Sequence, residues 1–360
     1  MTTDGASASK ENPAEPGSLL SDDALLADPT SLQRWFDATL GGRATELSIS
    51  RLPGGSSNSV FRIERADRRY VLRRPPAVAN DRTSHNIARE IELLTALADS
   101  DVPHAHLVGG TTEGRWIGGP FVVIDWVEGF TPRDPMPSPF GSDPALRRDL
   151  GDAVIDALAG IARVDWQGCG LAGFGKPEGF LARQVDRWQS QYDRIRVREL
   201  DHFEEIASWL RSNAPPPAPA GLMHGDYSFA NVMVAPDAPS RIAAVVDWEL
   251  TTIGDPMLDL GHLLSSWADA TTGPTWAYYI DWSNGFRSRQ ASAERYAKVS
   301  GRSIEQLDYY MVLALFRLAI LLEGSYSRFQ RGQSDNPRHA AFAERVPSLI
   351  AQAARAIEHS

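Results

Sequence analysis

The chain has 360 residues, 42% of them hydrophobic and 23% charged, with a net charge of −10 and one cysteine. That length exceeds a single simple core and suits two lobes with a shared cleft. The acidic balance argues against a nucleic-acid or anionic-membrane partner, because both select basic surfaces. The lone Cys169 excludes an internal disulfide and a cysteine metal site.

Residues 1–18 are polar, with Asp4, Glu11 and Glu15 interspersed, and carry no charged-then-apolar signal segment. We expect residues 1–25 to form a disordered tail. The most apolar later run, Tyr309 to Leu322, contains Arg317 and is too short to span a bilayer. A cytoplasmic location follows as the expectation.

Leu32, Trp35, Phe36 and Leu40 recur at helical spacing behind a capping Asp28 or Thr30. Leu47 to Leu52 alternates as a strand, and further strands follow at Val60 to Glu64 and Arg69 to Arg73. Between the first two lies a turn with Gly54, Gly55, Ser56, Ser57 and Asn58, whose successive N–H groups could face phosphate oxygens. A plain hairpin turn reads the same. In the third strand, alternation sets Val71 and Arg73 on one face and Tyr70, Leu72 and Arg74 on the other, pointing away. Ile87 to Leu97 is an amphipathic helix, and Phe121 to Trp126 a buried strand.

From Pro144 onward the pattern is mostly helical, at about 144–163, 178–198, 201–211, 256–267, 275–290, 292–299, 304–330 and 337–357. Arg183, Arg187, Arg194 and Arg198 fall on one arc of the second of these helices, opposite Leu181, Val185, Trp188, Tyr192 and Ile195. We read the arginines as a solvated face, not a phosphate site.

Inside the helical half, two apolar strands bracket His224, Gly225, Asp226 and Asn231 on one side and Asp247 on the other. Asp226 precedes Asn231 by five positions, the spacing of the Asp and Asn in H-R-D-x-x-x-x-N catalytic loops. Phosphoryl transfer needs a carboxylate to orient a hydroxyl, plus an amide oxygen and a second carboxylate on Mg²⁺. Asp226, Asn231 and Asp247 supply that set.

With Trp248, Glu249, Gly254, Asp255, Pro256, Asp259 and Leu260, this stretch resembles the aminoglycoside phosphotransferase (APH) family, and the resemblance runs from about Leu47 to Arg328. Tyr70–Pro76, Gly170–Gly175 and Arg183–Trp188 are most similar to the phosphotransferase-like domains fused to some acyl-CoA dehydrogenases. The resemblance implies an α+β, two-lobed protein-kinase-like fold, with a nucleotide-binding lobe over 26–128 and a catalytic and substrate lobe over 129–360. It implies ATP and Mg²⁺ as cofactors and a small hydroxylated substrate.

By the same resemblance Val71 meets adenine and Arg73 the phosphates, in the place of the usual Lys, while Glu90 pairs with Arg73. Two solvated strand-end arginines are the other reading, and Glu92 is a rival for Glu90. Asp125 and Val127 lie in the hinge and offer backbone groups to adenine. Asp259 anchors the backbone of the catalytic loop, and His224 is a structural loop residue. Only seven residues separate Asp247 from Asp255, too few for a peptide-binding activation segment. Two further functions stay open: a nucleotide-binding pseudokinase, because of Arg73, and a metal hydrolase using His224, Asp226 and Asp247.

Overall fold

The computed structural model describes residues 21–42, 46–52, 58–75, 81–132, 136–236, 240–268, 275 and 285–358, the side chains of 27 and 81–84 excepted. These residues fall into two compact units, one within Met1–Thr95 and His106–Trp126, the other within Ala96–Ala105 and Val127–Ser360. The sequence reading drew the first lobe as continuous over 26–128. Residues 96–105 go with the second unit because Val245 N–H donates to the Pro103 carbonyl (2.8 Å) and His104 bridges Val245 in parallel.

The first unit opens with helices α1 (Asp22–Ala27) and α2 (Thr30–Leu40), then strands β1 (Leu47–Arg51), β2 (Ser59–Arg65) and β3 (Arg68–Arg74). Helix α3 (Asp81–Leu97) and strands β4 (Leu107–Thr111) and β5 (Phe121–Asp125) follow. The strands form one antiparallel sheet in the order β1-β2-β3-β5-β4. Alternation gives it an apolar face of Phe61, Ile63, Tyr70 and Leu72, and Leu25, Leu32, Trp35 and Phe36 of α1 and α2 share that core. Trp35 meets Phe121 edge-on at 5.1 Å, and burial of each such ring contributes about 1.5–3 kcal/mol.

The expected tail over 1–25 is therefore corrected at its end. Ser21 caps α1 through the Ala24 N–H, and Leu25 is fully buried. Arg74 is corrected with it. Alternation does turn it from Arg73, but towards the core, where it is fully buried and its Nη2 lies 2.6 Å from Asp22 Oδ1. Asp22 also accepts from Ser59 Oγ (2.8 Å) and lies 3.2 Å from Arg51, so one carboxylate ties the end of β1, the start of β2 and the end of β3.

The second unit holds helices α4 (Pro144–Ala162), α5 (Gln184–Ile195) and α6 (Phe203–Ser212), then strands β6 (Gly221–Met223), β7 (Val232–Val234), β8 (Ile242–Val245) and β9 (Thr252–Gly254). Helices α7 (Met257–Ser265), α8 (Arg289–Ser300), α9 (Leu307–Gln330) and α10 (Phe342–Glu358) complete it. Of the helix expected at 275–290, only 289–290 are helical among the described residues, as the start of α8. Residues 276–284 lie outside the described residues, and 285–288 are not helical. In the α5 region Arg183, Arg187 and Arg194 are exposed as expected, whereas Arg198 lies beyond the helix end. Arg198 donates to Glu323 Oε2 (2.8 Å) and to the carbonyls of Phe342 and Ala343, stitching α9 to α10.

Removing one member of a buried ion pair strands the other charge, at a cost of about 3–5 kcal/mol. Arg74→Ala is expected to lower stability by about 3 kcal/mol, the low end because Asp22 keeps some solvent contact. What burial Asp22 has acts upward on its pKa, but the Arg74 and Ser59 hydrogen bonds outweigh it and hold the carboxyl below its usual range. The pair's contribution is thus complete above the ordinary carboxylate pKa and lost as pH falls through the depressed one. Denaturant titrations from neutral to acidic pH check both points; an Arg74→Ala midpoint equal to wild type would refute the pairing.

Candidate active site

In the first unit, register places Arg73 opposite Val60 and Val122, and Val71 opposite Arg62 and Ile124, on the sheet face away from α1 and α2. Arg73 Nη1 lies 2.6 Å from Glu90 Oε1, with both side chains largely buried. Glu90, not Glu92, is the partner, and Arg73 is not a solvated strand-end residue. A guanidinium offers five donors in a plane, which suits it to more than one acceptor at a time. Asn58 is described as a bend before β2, whereas Gly54, Gly55, Ser56 and Ser57 lie outside the described residues. Asp125 ends β5 with its N–H given to the His106 carbonyl (2.9 Å). Val127, the first residue of the second unit after β5, is half-buried and lies outside any strand or helix.

In the second unit the loop after β6 is built from the backbone outward. Gly225 takes φ +84°, and a Cβ there would lie 2.3 Å from the Leu250 carbonyl oxygen, so only glycine fits. The tight bend turns two consecutive N–H groups the same way. His224 N–H donates to Asp259 Oδ2 (2.6 Å) and Gly225 N–H to Asp259 Oδ1 (2.9 Å). Asp259 is fully buried, and burial pushes its carboxyl above the usual range against the pull of His224, Arg317 and these two N–H groups.

The His224 ring is committed to backbone on both sides. Its Nδ1 accepts from Asp226 N–H (3.2 Å), and its Nε2 bonds the Val246 carbonyl (2.9 Å). With both nitrogens occupied it has no lone pair for a metal, which removes the arrangement a metal hydrolase would need.

The Asp226 side chain is 41% exposed and held through both oxygens. Asn231 Nδ2 donates to Oδ2 (3.0 Å) and to the Asp226 carbonyl (2.8 Å). His262 Nε2 lies 3.3 Å from Oδ1. What burial this carboxyl has acts upward but is outweighed by the His262 hydrogen bond and the electrostatic pull of His262, His224 and Arg317, leaving it below the usual range. Asn231 thus turns its amide nitrogen to Asp226, which makes Oδ1 the atom of that side chain that could hold a cation.

Asp247 stands across the hairpin from Asn231. The β7–β8 pair ends at Val232 opposite Val245, and Val246 N–H donates to the Asn231 carbonyl (2.9 Å). Asp247 itself is left-handed at φ 66°, a conformation that Asp tolerates better than most residues and that gathers at functional sites. An amide oxygen and a carboxylate on one hairpin fit Mg²⁺, which takes one or two protein oxygens and fills its octahedron with phosphates and water.

Two side chains left out of the motif reading also reach this loop. Arg317, from the apolar α9, is buried, donates through Nη2 to the Gly225 carbonyl and stacks its guanidinium over Trp188 at 5.5 Å. His262 follows Asp259 by one helical turn on α7. Their only sequence signal is a polar residue within an apolar helix, which alone says nothing of its partner.

This arrangement is that of a kinase-like phosphotransferase, and the matching family profile agrees. Residues 48–294 match the APH phosphotransferase enzyme family, to which the chain belongs. A solved structure of a Ralstonia eutropha protein provisionally named an aminoglycoside phosphotransferase superposes with a TM-score of 0.81 at 28% identity, covering 92% of this chain and 98% of that one. The aminoglycoside phosphotransferase APH(4)-Ia, crystallised with ADP and hygromycin B, shares the fold at TM-score 0.59 and 14% identity, over 90% of this chain and 99% of that one. Among curated proteins, mouse acyl-CoA dehydrogenase family member 10 is 29% identical over 85% of this chain, and human family member 11 is 28% identical over 89%. The chain spans 29% and 42% of the length of those two relatives. No helix among the described residues is long and apolar enough to cross a membrane.

Asp259→Asn replaces one accepting oxygen by a donor and strands a buried N–H, which costs about 1–3 kcal/mol. We expect that loss in denaturant unfolding, together with faster hydrogen exchange at the His224 and Gly225 amides specifically. Unchanged protection of both amides would show that the loop does not rely on Asp259.

Proposed function

We propose that the chain is an ATP- and Mg²⁺-dependent phosphotransferase acting on a hydroxyl of a small molecule. The observation that carries this is the Asp226 carboxylate, partly exposed and fixed through both oxygens, on a loop whose neighbouring hairpin presents Asn231 and Asp247.

In this reading the acceptor hydroxyl hydrogen-bonds to Asp226. Its oxygen bonds to the γ-phosphorus as the bond to the β–γ bridging oxygen breaks, and its proton passes to Asp226. A carboxylate held below its usual range is a weak base, so Asp226 orients the hydroxyl and takes the proton late, as a loose transition state allows. Mg²⁺, held by Asn231 Oδ1 and the Asp247 carboxylate, would neutralise charge on the phosphate oxygens. Arg73, steadied by Glu90, would hold the phosphates, with Gly54, Gly55, Ser56, Ser57 and Asn58 covering them. Val71 would pack on adenine, and the backbones of Asp125 and Val127 would bond it; the Asp125 N–H is already committed, so its carbonyl is the group offered.

The acceptor is small in this reading because the chain between Asp247 and Asp255 is used up. Residues Trp248–Leu250 form one helical turn and Thr252–Gly254 form β9, paired to β6. No length remains for a segment that could lay out a peptide. The chain's likeness to acyl-CoA dehydrogenase family members and to aminoglycoside phosphotransferases sets hydroxyacyl compounds beside aminoglycosides in the acceptor search. Arg in place of Lys at 73 is the one observation favouring a nucleotide-binding protein without transfer, because a planar fork positions phosphate oxygens differently from an ammonium.

Asp226→Asn is expected to cut phosphoryl transfer by about 10²-fold or more with ATP affinity nearly unchanged, read by coupled ADP release and calorimetry across an acceptor panel. Retained turnover would remove Asp226 from the mechanism. Arg73→Ala should weaken ATP far more than adenosine, and Arg73→Lys should keep or raise activity. Equal weakening of both ligands would take Arg73 away from the phosphates, and wild-type ATP binding with no transfer to any hydroxyl would favour the binding protein.

A further inference from the structure

We infer that His262 is a positioning residue for phosphoryl transfer, setting the orientation of the Asp226 carboxylate through Oδ1. The inference rests on the phosphotransferase reading of Asp226 and adds to it a residue outside the His224–Asp247 motif.

The argument begins with α7. Its first turn is fixed where Asp255 Oδ1 accepts from Met257 N–H (3.1 Å) and Asp255 Oδ2 accepts from Tyr310 OH (2.6 Å). Its body, with Leu258, Leu260, Leu263 and Leu264, is buried, and at Gly261 a Cβ would lie 2.5 Å from the Tyr310 carbonyl carbon, so α7 lies tight on α9. Such a helix has little freedom to shift. Residues three apart share a face, so Asp259 and His262 present successive polar groups along one line. Asp259 takes the loop backbone at His224 and Gly225, and His262 takes the loop side chain at Asp226.

A histidine only 5% exposed in an apolar helix needs a polar partner, and any buried partner would satisfy it. What sets this one apart is which atom it meets. The two oxygens of Asp226 are divided between two donors: Asn231 holds Oδ2 and His262 meets Oδ1. Asn231 alone leaves the carboxylate plane free to turn about the Cβ–Cγ bond. Adding His262 leaves one plane, and the lone pair that receives the acceptor's proton points one way. Misplacement by about 1 Å at a reacting group can cost about 10²-fold.

The test compares Asp226→Asn, His262→Gln, His262→Leu and the Asp226→Asn/His262→Leu double variant. Steady-state transfer to whichever acceptor the panel yields, and ADP release with water as acceptor, are read beside thermal unfolding. Gln can carry an N–H towards Oδ1, whereas Leu cannot. We expect His262→Leu to lower kcat about 10-fold or more with KM for Mg-ATP unchanged, and His262→Gln to stay within about threefold of wild type. The double variant should be no slower than Asp226→Asn alone, because His262 acts only through that carboxylate. If Asp226→Asn abolishes transfer while His262→Leu keeps wild-type kcat, or the double variant loses a further 10-fold, the positioning role is wrong and the phosphotransferase reading stands. If Asp226→Asn leaves transfer intact, that reading is what fails. Nitrogen-15 spectra of the histidine rings then judge the contact by itself. A His262 Nε2 signal, assigned by its loss in His262→Gln, must shift in Asp226→Asn, and a signal that does not move overturns the inference.

Discussion

The second unit depends on one buried carboxylate accepting two consecutive backbone N–H groups. Asp259 can do this because Gly225 is left-handed, which turns the His224 and Gly225 amides to the same side. The chain reaches this geometry by a short route. Strand β6 runs into the loop, β9 runs into Asp255 and α7, and the pairing of Met223 with Thr252 and of Gly221 with Gly254 brings the two exits together. A fully buried carboxylate is costly unless its lone pairs are used and positive charge is near. Two N–H groups and the Arg317 guanidinium offset part of that cost here, and Arg317 also takes the Gly225 carbonyl, so the bend is held from both of its polar sides.

Neighbouring arginines in the first unit show how strand geometry separates stability from chemistry. Arg73 and Arg74 differ by one position and so face opposite sides of the sheet. Arg74 meets Asp22 under α1 and α2, where its charge knits three strand ends. Arg73 meets Glu90 on the other face, the one the proposed function assigns to the nucleotide. Both are charge pairs with little solvent exposure, yet Arg74 is tied into the strand ends, whereas the proposed function gives Arg73 to the nucleotide.

The same strand shows what sequence can and cannot convey. Strict alternation in Arg68–Arg74 revealed which residues share a face, but not that the face of Arg74 is roofed. The roof comes from Asp22–Ala27, six residues whose acidic start reads as part of a tail. Strand Leu107–Thr111 went unread because Gly109 and Gly110 erase its alternation, and β6 and β9 because three residues are too few to show a period. The loop from His224 to Asn231 and the hairpin ending at Asp247 were legible because their polar residues interrupt apolar strands at fixed spacing. His262 and Arg317 were not, since a polar residue in an apolar helix declares its partner only when the loop it touches has been folded against it.

In the proposed phosphotransferase reading, these contacts bear on how little basicity the site needs. A hydroxyl is far too weak an acid to lose its proton to a carboxylate held below the ordinary range. In a loose phosphoryl transfer the proton becomes acidic only as the new oxygen–phosphorus bond forms, so basicity in the ground state gains little. What gains is placement, because fixing reacting groups can remove about 7–11 kcal/mol of barrier that proton affinity could not. In that reading the His262 contact lowers the basicity of Asp226 and, with Asn231, fixes its plane. For the proposed step, governed by geometry, that exchange is favourable, and the buried polar contacts that anchor the loop are consistent with it.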